Sequence, residues 1–475
     1  MCGGPSNLLR VTLPALEAAL LEAVVARALG SGGDFAEGFV EDSVGLGMRL
    51  EDGKVEQTSG GHEYGAAVRL NSGDRTYYAY TDEVDEAGLF EAATAVAAGL
   101  RSGAAGATTK LGAERSEPGR HPVQVPPETV PIVRKRDLLH AADDVARGSS
   151  PLVGQVIAGY SEGRQRVLIA NSLGDVVRDD RTRVRFIVTV IARRDGIIQT
   201  GYQTIGGSAG FEILDEKAVT ETAVKAAGKA VIMLDARPAP MGAMPVVLAN
   251  GFGGTLFHEA CGHGLEADAI AKGASIYAGR MGELVAAPIV NAYDDGSLVN
   301  GWGSAAFDDE GVPTRKTMVI EEGRLCSYLY DRLRARSAGA EPTGNGRRQS
   351  FRHVPLPRMT TTCIAPGDAT PEAIIAATAH GFYAKSLAGG QVEPASGNFV
   401  FGVSEGYLIE KGKVTTPLRG ATLVGNGIDI LKQIDMIAAD FDVKSGICGK
   451  DGQGVPVGTG QATLRIRQMT VGGTG

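Results

Sequence analysis

The sequence reads as an α+β protein, a mixed helix and strand N-terminal region followed by a strand-rich C-terminal domain. Three observations predict this. In the first half, runs of strands are followed by covering helices, not by regularly alternating strand–helix–strand units. Val184, Phe186, Val188, Val190 and Ala192 alternate with Arg185, Ile187, Thr189 and Ile191, the pattern of a sheet buried largely on both faces. In the second half, apolar runs flank Glu322-Gly323 and Lys411-Gly412 as hairpins.

The elements follow in order. Leu13 to Leu29 is an amphipathic helix, opened by Thr12 and Pro14 and closed by Gly30. Residues 36–81 form a meander whose turns are Asp52-Gly53 and Asn71-Ser72-Gly73. Asp82 to Leu100 is a helix of small residues. Residues 102–131, rich in Gly, Ala, Thr and Pro and without a period, read as a linker. Arg136 to Arg147 is helical, Gln155 to Tyr160, Arg166 to Ser172 and Arg183 to Arg193 are strands, and Ala218 to Leu234 is a covering helix. Beyond them lie hairpins at Thr317 to Glu321 with Arg324 to Tyr330, and at Phe399 to Ile409 with Lys413 to Pro417. Short helices at Pro371 to His380 and Asp429 to Ala438 precede a final strand at Ala462 to Thr470. The expected organisation is an α+β subdomain at 1–101, a linker at 102–131, a second α+β subdomain at 132–240 and a β-rich domain at 241–475.

Composition bounds the function. At 475 residues the chain exceeds a single typical core. Aromatics are only 5% while glycines number 67, so the core is expected to use small aliphatic side chains. A net charge of −8 argues against a nucleic-acid partner. Five scattered cysteines do not make a disulfide framework, which fits a reducing compartment. No run reaches the ~18 apolar residues of a membrane span, and Glu17, Glu22 and Arg27 interrupt the N-terminal apolar stretch. The expected location is the cytoplasm.

Chemistry is concentrated at His258-Glu259-Ala260-Cys261-Gly262-His263, just after the apolar run Pro245 to Ala249. Two imidazoles are good ligands for Zn²⁺, and a carboxylate beside a ligand can take a proton from water. The spacing is unusual, because zinc helices carry ligands at i and i+4. At i and i+5 in a regular helix the two rings would point roughly 140° apart. One metal can take both only if the helix widens into a π-bulge or ends between them, so an irregular turn is expected at 260–263. Gly262 would permit it. The alternative is a pair of ordinary histidines near a helix start. A third ligand is required. Cys448 stands out in the Gly-rich stretch 445–458, where Lys450 would favour a thiolate. A reduced structural cysteine is the competing reading.

At this point the chain resembles the TldD/PmbA family of metallopeptidases, on the TldD side. The resemblance rests on the 258–263 motif and the Cys448 segment. It also rests on Gly279-Arg280-Met281-Gly282, on Gly301-Trp302-Gly303-Ser304 running into Phe307-Asp308-Asp309-Glu310-Gly311, and on Asn345-Gly346-Arg347-Arg348-Gln349-Ser350. Arg358-Met359 and Gly406-Tyr407-Leu408-Ile409 complete it. It is dense over residues 240–475 and looser before them. It implies His258, His263 and Cys448 as ligands of one Zn²⁺ per chain, with Glu259 as general base and later proton donor. Asn345 and Arg347 of the matching block, with Gly449 and Gly452 of the Gly-rich stretch, are the candidate substrate contacts. The family implies hydrolysis of unfolded or leader peptides. It also implies a dimer, including a heterodimer with a metal-free PmbA/TldE-type relative. Gly-rich strands at 389–406 suggest that extended peptide is held as an added strand. Two other readings share residues with this one: a regulatory or scaffold subunit with a structural metal, and a zinc amidase acting on a small molecule. Glu259 separates the first of these, since a structural site has no use for a neighbouring base.

Overall fold

The computed structural model describes residues 16–100 and 106–473. The N-terminal half carries α1 (Ala18–Ala28), β1 (Phe35–Glu51), β2 (Lys54–Ser72), β3 (Arg75–Thr81) and α2 (Glu86–Gly99). It continues with α3 (Ile132–Gly148), β4 (Val153–Asn171), β5 (Val176–Arg194), β6 (Ile197–Gly207) and α4 (Glu216–Met233). The expected opening of the first helix at Thr12 and Pro14 lies outside the described residues. Each unit thus runs helix, three strands, helix. The two meet at an antiparallel β1–β4 pairing, so all six strands form one sheet in the order 3-2-1-4-5-6. Asp52 and Gly53, at φ 49° and 76°, make the β1–β2 turn, the left-handed pair a two-residue hairpin needs.

Alternation then sorts the sheet's two faces. Val40 and Val68 pack under α1 and α2, and Val188 and Val190 under α3 and α4. Phe39, Ala67, Val167 and Val177 point the other way, onto Phe307 and Phe351 of the C-terminal half. The segment after α2 crosses this junction: Arg115 bridges to Val177, and the Arg120 guanidinium donates to the Thr314 carbonyl.

The C-terminal half begins with β7 (Arg237–Pro238), β8 (Gly242–Leu248) and the short α5 (Gly254–Phe257) and α6 (Ala267–Ala271). One sheet contains β9 (Ala292–Asp295), β10 (Lys316–Glu321) and β11 (Arg324–Leu325). After α7 (Arg332–Ala338) and the paired β12 (Gly346–Arg347) and β13 (Leu356–Pro357), β14 (Thr361–Ile364) joins that sheet beside β9. After α8 (Pro371–Ala376) come β15 (His380–Glu393), β16 (Asn398–Glu410), β17 (Lys413–Arg419) and β18 (Thr422–Asn426). Then follow α9 (Gly427–Lys432), β19 (Ile434–Ile437), β20 (Asp442–Lys450), β21 (Gln453–Gln461) and β22 (Leu464–Gly472). β15, β8, β22, β18 and β16 close into a ring, because β15 pairs with both β8 and β16. β21 and β20 form the end of the other sheet, with β21 parallel to β14. Phe257, Phe382, Phe401, Leu423 and Ile466 are fully buried in the core between them.

Several expected elements differ. Gln155 to Tyr160 and Arg166 to Ser172 are one strand, β4. The polar stretch between them stays extended because its backbone is paired on both sides, to β1 and β5. Of Arg324 to Tyr330 only Arg324–Leu325 is strand. The helix from Pro371 ends at Ala376, and His380 already opens β15. The helix expected to reach Ala438 ends at Lys432, because Ile434 and Ile437 pair as β19 with Ile466 and Leu464 of β22. Cys448, despite its many glycine neighbours, lies on a β-strand opposite Val455.

Candidate metal centre

The segment after β8 turns through Gly251–Gly253 into α5 and packs against β14 and β21. Gly254 permits this approach, since a Cβ there would lie 2.9 Å from the Gly460 amide nitrogen. At His258 the helix widens into a π-turn over His258–Gly262 and then tightens into a 3₁₀ turn at His263–Leu265. The His263 amide donates to the His258 carbonyl five residues back. That wider turn brings residue i+5 over residue i, and the two imidazole centroids are 5.3 Å apart. Gly262 serves differently from the expectation. Its φ of −55° is ordinary helix, and what it provides is space, because a Cβ would collide with the Met359 sulfur.

Cys448 on β20 completes the cluster. One donor atom from each of His258, His263 and Cys448 lies within 4.8 Å of the others. Cys448 Sγ is 3.3 Å from His263 Nε2. Bonds of about 2.0–2.1 Å to nitrogen and 2.3 Å to sulfur in a tetrahedron require donors at comparable separations. Two imidazoles and a thiolate are also a donor set suited to a divalent transition metal.

Neighbours orient each donor. His258 Nδ1 is 3.0 Å from Thr362 Oγ1 on β14, and His263 Nδ1 is 3.0 Å from Glu266 Oε2. Both leave the other ring nitrogen for the cluster, the arrangement metal-binding histidines use. Arg358, fully buried, donates through Nη2 to the Cys448 carbonyl at 2.7 Å and holds the β20–β21 hairpin. Burial raises the Cys448 thiol, but hydrogen bonds and charge from His258 and His263 outweigh it and bring it down to about 5. Burial lowers His263, yet Glu266 and Cys448 lift it to about 10. Glu266 would be raised by burial, but His263 and Lys450 hold it at about 2. Lys450 does not act as expected. Its ammonium binds Glu266 at 3.0 Å and Asp268 at 2.7 Å, so the thiolate is favoured by the two imidazoles.

Glu259 stands beside the cluster, its Oε2 3.7 Å from His263 Nε2 and its side chain about a quarter exposed. It lines two cavities. One, of about 500 Å³, opens on the His258 side. The other, of about 430 Å³, opens on the His263 side and is lined by Glu266, Gly390, Gln391, Gly449 and Lys450. Of the candidate substrate contacts, Gly449 therefore faces the second cavity.

The other three candidate substrate contacts do not line these cavities. Asn345 is buried and fully engaged, donating to Asp294 and the Arg358 carbonyl and accepting from Thr343. Arg347 donates to the Met359 carbonyl and faces a separate cavity beside Arg181 and Gln349. Gly452, at φ +75°, makes the β20–β21 turn with Asp451. Sequence reasoning missed Glu266, Thr362 and Arg358. Glu266 had a signal in its position three residues after His263 and Arg358 in its place in the matching block Arg358-Met359, whereas Thr362 had none.

Comparison with known proteins gives the family of the chain. Residues 36–99, 125–234 and 241–473 match the first, central and C-terminal domains of the PmbA/TldA metallopeptidases. The chain is 39% identical over 449 residues to the "Metalloprotease TldD homolog" of Haemophilus influenzae, covering 93% of each. In fold it is similar to a candidate modulator of a DNA gyrase from Thermotoga maritima, at TM-score 0.78 and 23% identity over 96% of this chain and 99% of that one. TldE from Thermococcus kodakarensis is similar at TM-score 0.74 and 20% identity, over 95% and 99%. With three successive domain matches and a relative this similar over nearly its whole length, the chain belongs to the TldD/PmbA metallopeptidase family.

Proposed function

We propose that the chain is a zinc peptidase that hydrolyses unfolded or leader peptides, with His258, His263 and Cys448 holding one Zn²⁺ and Glu259 moving the proton. The observation that carries this is the Glu259 carboxylate, partly exposed where two cavities meet beside a largely buried three-donor cluster. A structural site needs no such group, which weighs against the scaffold reading. Bound zinc would supply Lewis-acid polarisation of the carbonyl and an acidified water. Glu259 accepts the proton of the attacking water and returns it to the departing amine nitrogen. Glu266 keeps His263 oriented, and Thr362 does the same for His258.

Two open strand edges flank Glu259 and favour an extended peptide over a small amide. β15 is hydrogen-bonded to β8 only at Phe382–Ala384, so its continuation past the site is paired on one side, by β16. β20 is paired only by β21. Both strands line both cavities. A peptide added between them would be gripped by main-chain hydrogen bonds that tolerate many sequences. Likeness to TldE supports pairing with a metal-free relative of that kind. The scattered free thiols favour a cytoplasmic location. No described helix is long and apolar enough to cross a membrane.

The test is elemental analysis together with digestion of an unfolded protein substrate, with and without chelator. We expect about one zinc per chain and cleavage that stops on chelation and returns with Zn²⁺. Glu259→Gln should keep its zinc and lose about 10²–10⁴-fold in turnover. Normal turnover in that variant, or in metal-stripped protein, would remove this reading. Hydrolysis of small amides with no cleavage of peptides would turn the assignment to an amidase.

A further inference from the structure

The cavity on the His258 side holds cations that the proton chemistry above does not use. Lys229 on α4 is only 5% exposed, and its ammonium donates to Ser404 Oγ at 3.0 Å. Among the described residues no carboxylate forms an ion pair with it. Glu405, the nearest acidic influence, is bound to Lys385 at 2.8 Å and to the Tyr407 hydroxyl. Burial accordingly brings Lys229 down to about 8. Arg185 on β5 donates to Thr204 Oγ1 at 3.3 Å and to the Tyr202 hydroxyl at 3.0 Å, and lies over Trp302. It too has no carboxylate partner among the described residues. Lys444, the third cation of this wall, is neutralised by Asp442 at 2.8 Å.

These groups share the 500 Å³ cavity with Phe252, Leu387 and Val457. Apolar walls raise the strength of a charge-assisted hydrogen bond above its value in water. On the far side of Glu259 the balance is opposite, because Lys450 is matched by Glu266 and Asp268. The cleft is therefore positive at one end only.

We propose that Lys229 and Arg185 form a carboxylate subsite, which receives an anionic group of the substrate peptide on the His258 side of the bond to be cut. The subsite rests on the peptidase reading and deepens it by naming a substrate feature. Two groups offer the same chemistry. A terminal α-carboxylate would make the enzyme trim chains from their C-terminal end, whereas an Asp or Glu side chain would make it prefer an acidic residue at an internal site. Notably, Lys229 and Arg185 come from the N-terminal sheet and its covering helix. The half of the chain without metal ligands would then select what the other half cuts.

The experiment uses the full-length, zinc-loaded Glu259→Gln variant, so that binding is read without turnover. Three labelled peptides share one neutral sequence: a free C-terminal acid, its C-terminal amide, and the amide with one internal Asp. By fluorescence anisotropy we expect the acid, the Asp peptide or both to bind about tenfold tighter than the neutral amide. The first outcome identifies end recognition and the second internal acidic recognition. Lys229→Met and Arg185→Met, each added separately, should bring that ratio toward one, and Lys229→Arg should preserve it. Equal affinity for all three peptides overturns the subsite and leaves the peptidase reading standing, as does a preference that survives both Met substitutions. Failure of every peptide to bind, together with chelator-insensitive digestion by the unsubstituted protein, instead overturns the peptidase reading and the subsite with it.

Discussion

At the scale of single residues, the site depends on a few side chains that touch no substrate. Glu266 is the clearest. It is buried, binds His263 Nδ1 and is held by Lys450. Glu266→Gln should weaken zinc binding about 10–100-fold, the usual cost of losing a carboxylate behind a metal-bound histidine. Competition with a chromogenic chelator measures it, and an unchanged zinc affinity would remove Glu266 from the centre. Cys448→Ala should lower zinc content more severely, since on the proposed reading it deletes one of the three donors outright. Unchanged stoichiometry there would point to a different third ligand.

At the scale of elements, the π-turn is what brings an i, i+5 histidine pair together, with ring centroids 5.3 Å apart, as the proposed centre requires. It packs against β14, β15, β16 and α9, with the Met359 side chain against Gly262. Gly262→Ala keeps an allowed backbone but drives a methyl group into the Met359 sulfur. Overpacking of this kind costs about 1–3 kcal/mol, and a shifted turn would also misplace His263. We expect a lower melting temperature and reduced zinc content. Met359→Ala in the same chain should relieve part of the effect, giving a double variant more stable than the sum of the two single losses predicts. Strict additivity would mean that the two residues do not press on each other.

For the whole molecule, the junction between the six-stranded sheet and the C-terminal half is a buried polar seam. Arg69 joins Glu37 at 2.9 Å and Glu310 at 2.6 Å, Arg348 also binds Glu37, and Arg181 meets Asp309 at 2.5 Å. Removing one member, as in Arg348→Met, leaves Glu37 and Glu310 sharing the single Arg69 guanidinium, an uncompensated buried negative charge, and should destabilise by about 3–5 kcal/mol. Chemical denaturation would show it, and a loss below the scatter between repeats would contradict it. Glu41 gives the seam a pH dependence. Burial raises its carboxyl from 4.5 to about 7, against hydrogen bonds from Gln165 and the Phe351 amide. The folded protein therefore holds this proton more tightly than the unfolded chain. Its contribution to stability is complete below pH 4.5 and disappears as pH rises through about 7. The stability of the native protein relative to Glu41→Gln should fall by on the order of 2–3 kcal/mol between pH 5 and pH 8. A difference that stays constant across that range would show that Glu41 is not buried as described.

The local order of residues was enough to establish the α+β class and the hairpin turns at Asp52-Gly53, Glu322-Gly323 and Lys411-Gly412, although the turn expected at Asn71-Ser72-Gly73 lies at Gly73-Asp74. It also exposed the misfit of His258 and His263 with a regular helix, because period, turn chemistry and ligand spacing are properties of neighbouring residues. It could not show that β4 runs unbroken through a polar stretch, or that residues 434–437 leave a helix for a strand. Those outcomes depend on backbone partners far along the chain. Nor could it separate Asn345, locked to Asp294, from a residue free to meet substrate. Packing alone brings β20 beside the π-turn, and Lys229 and Arg185 into a cavity with Glu259. Contacts between residues so distant in sequence leave no period or spacing to read.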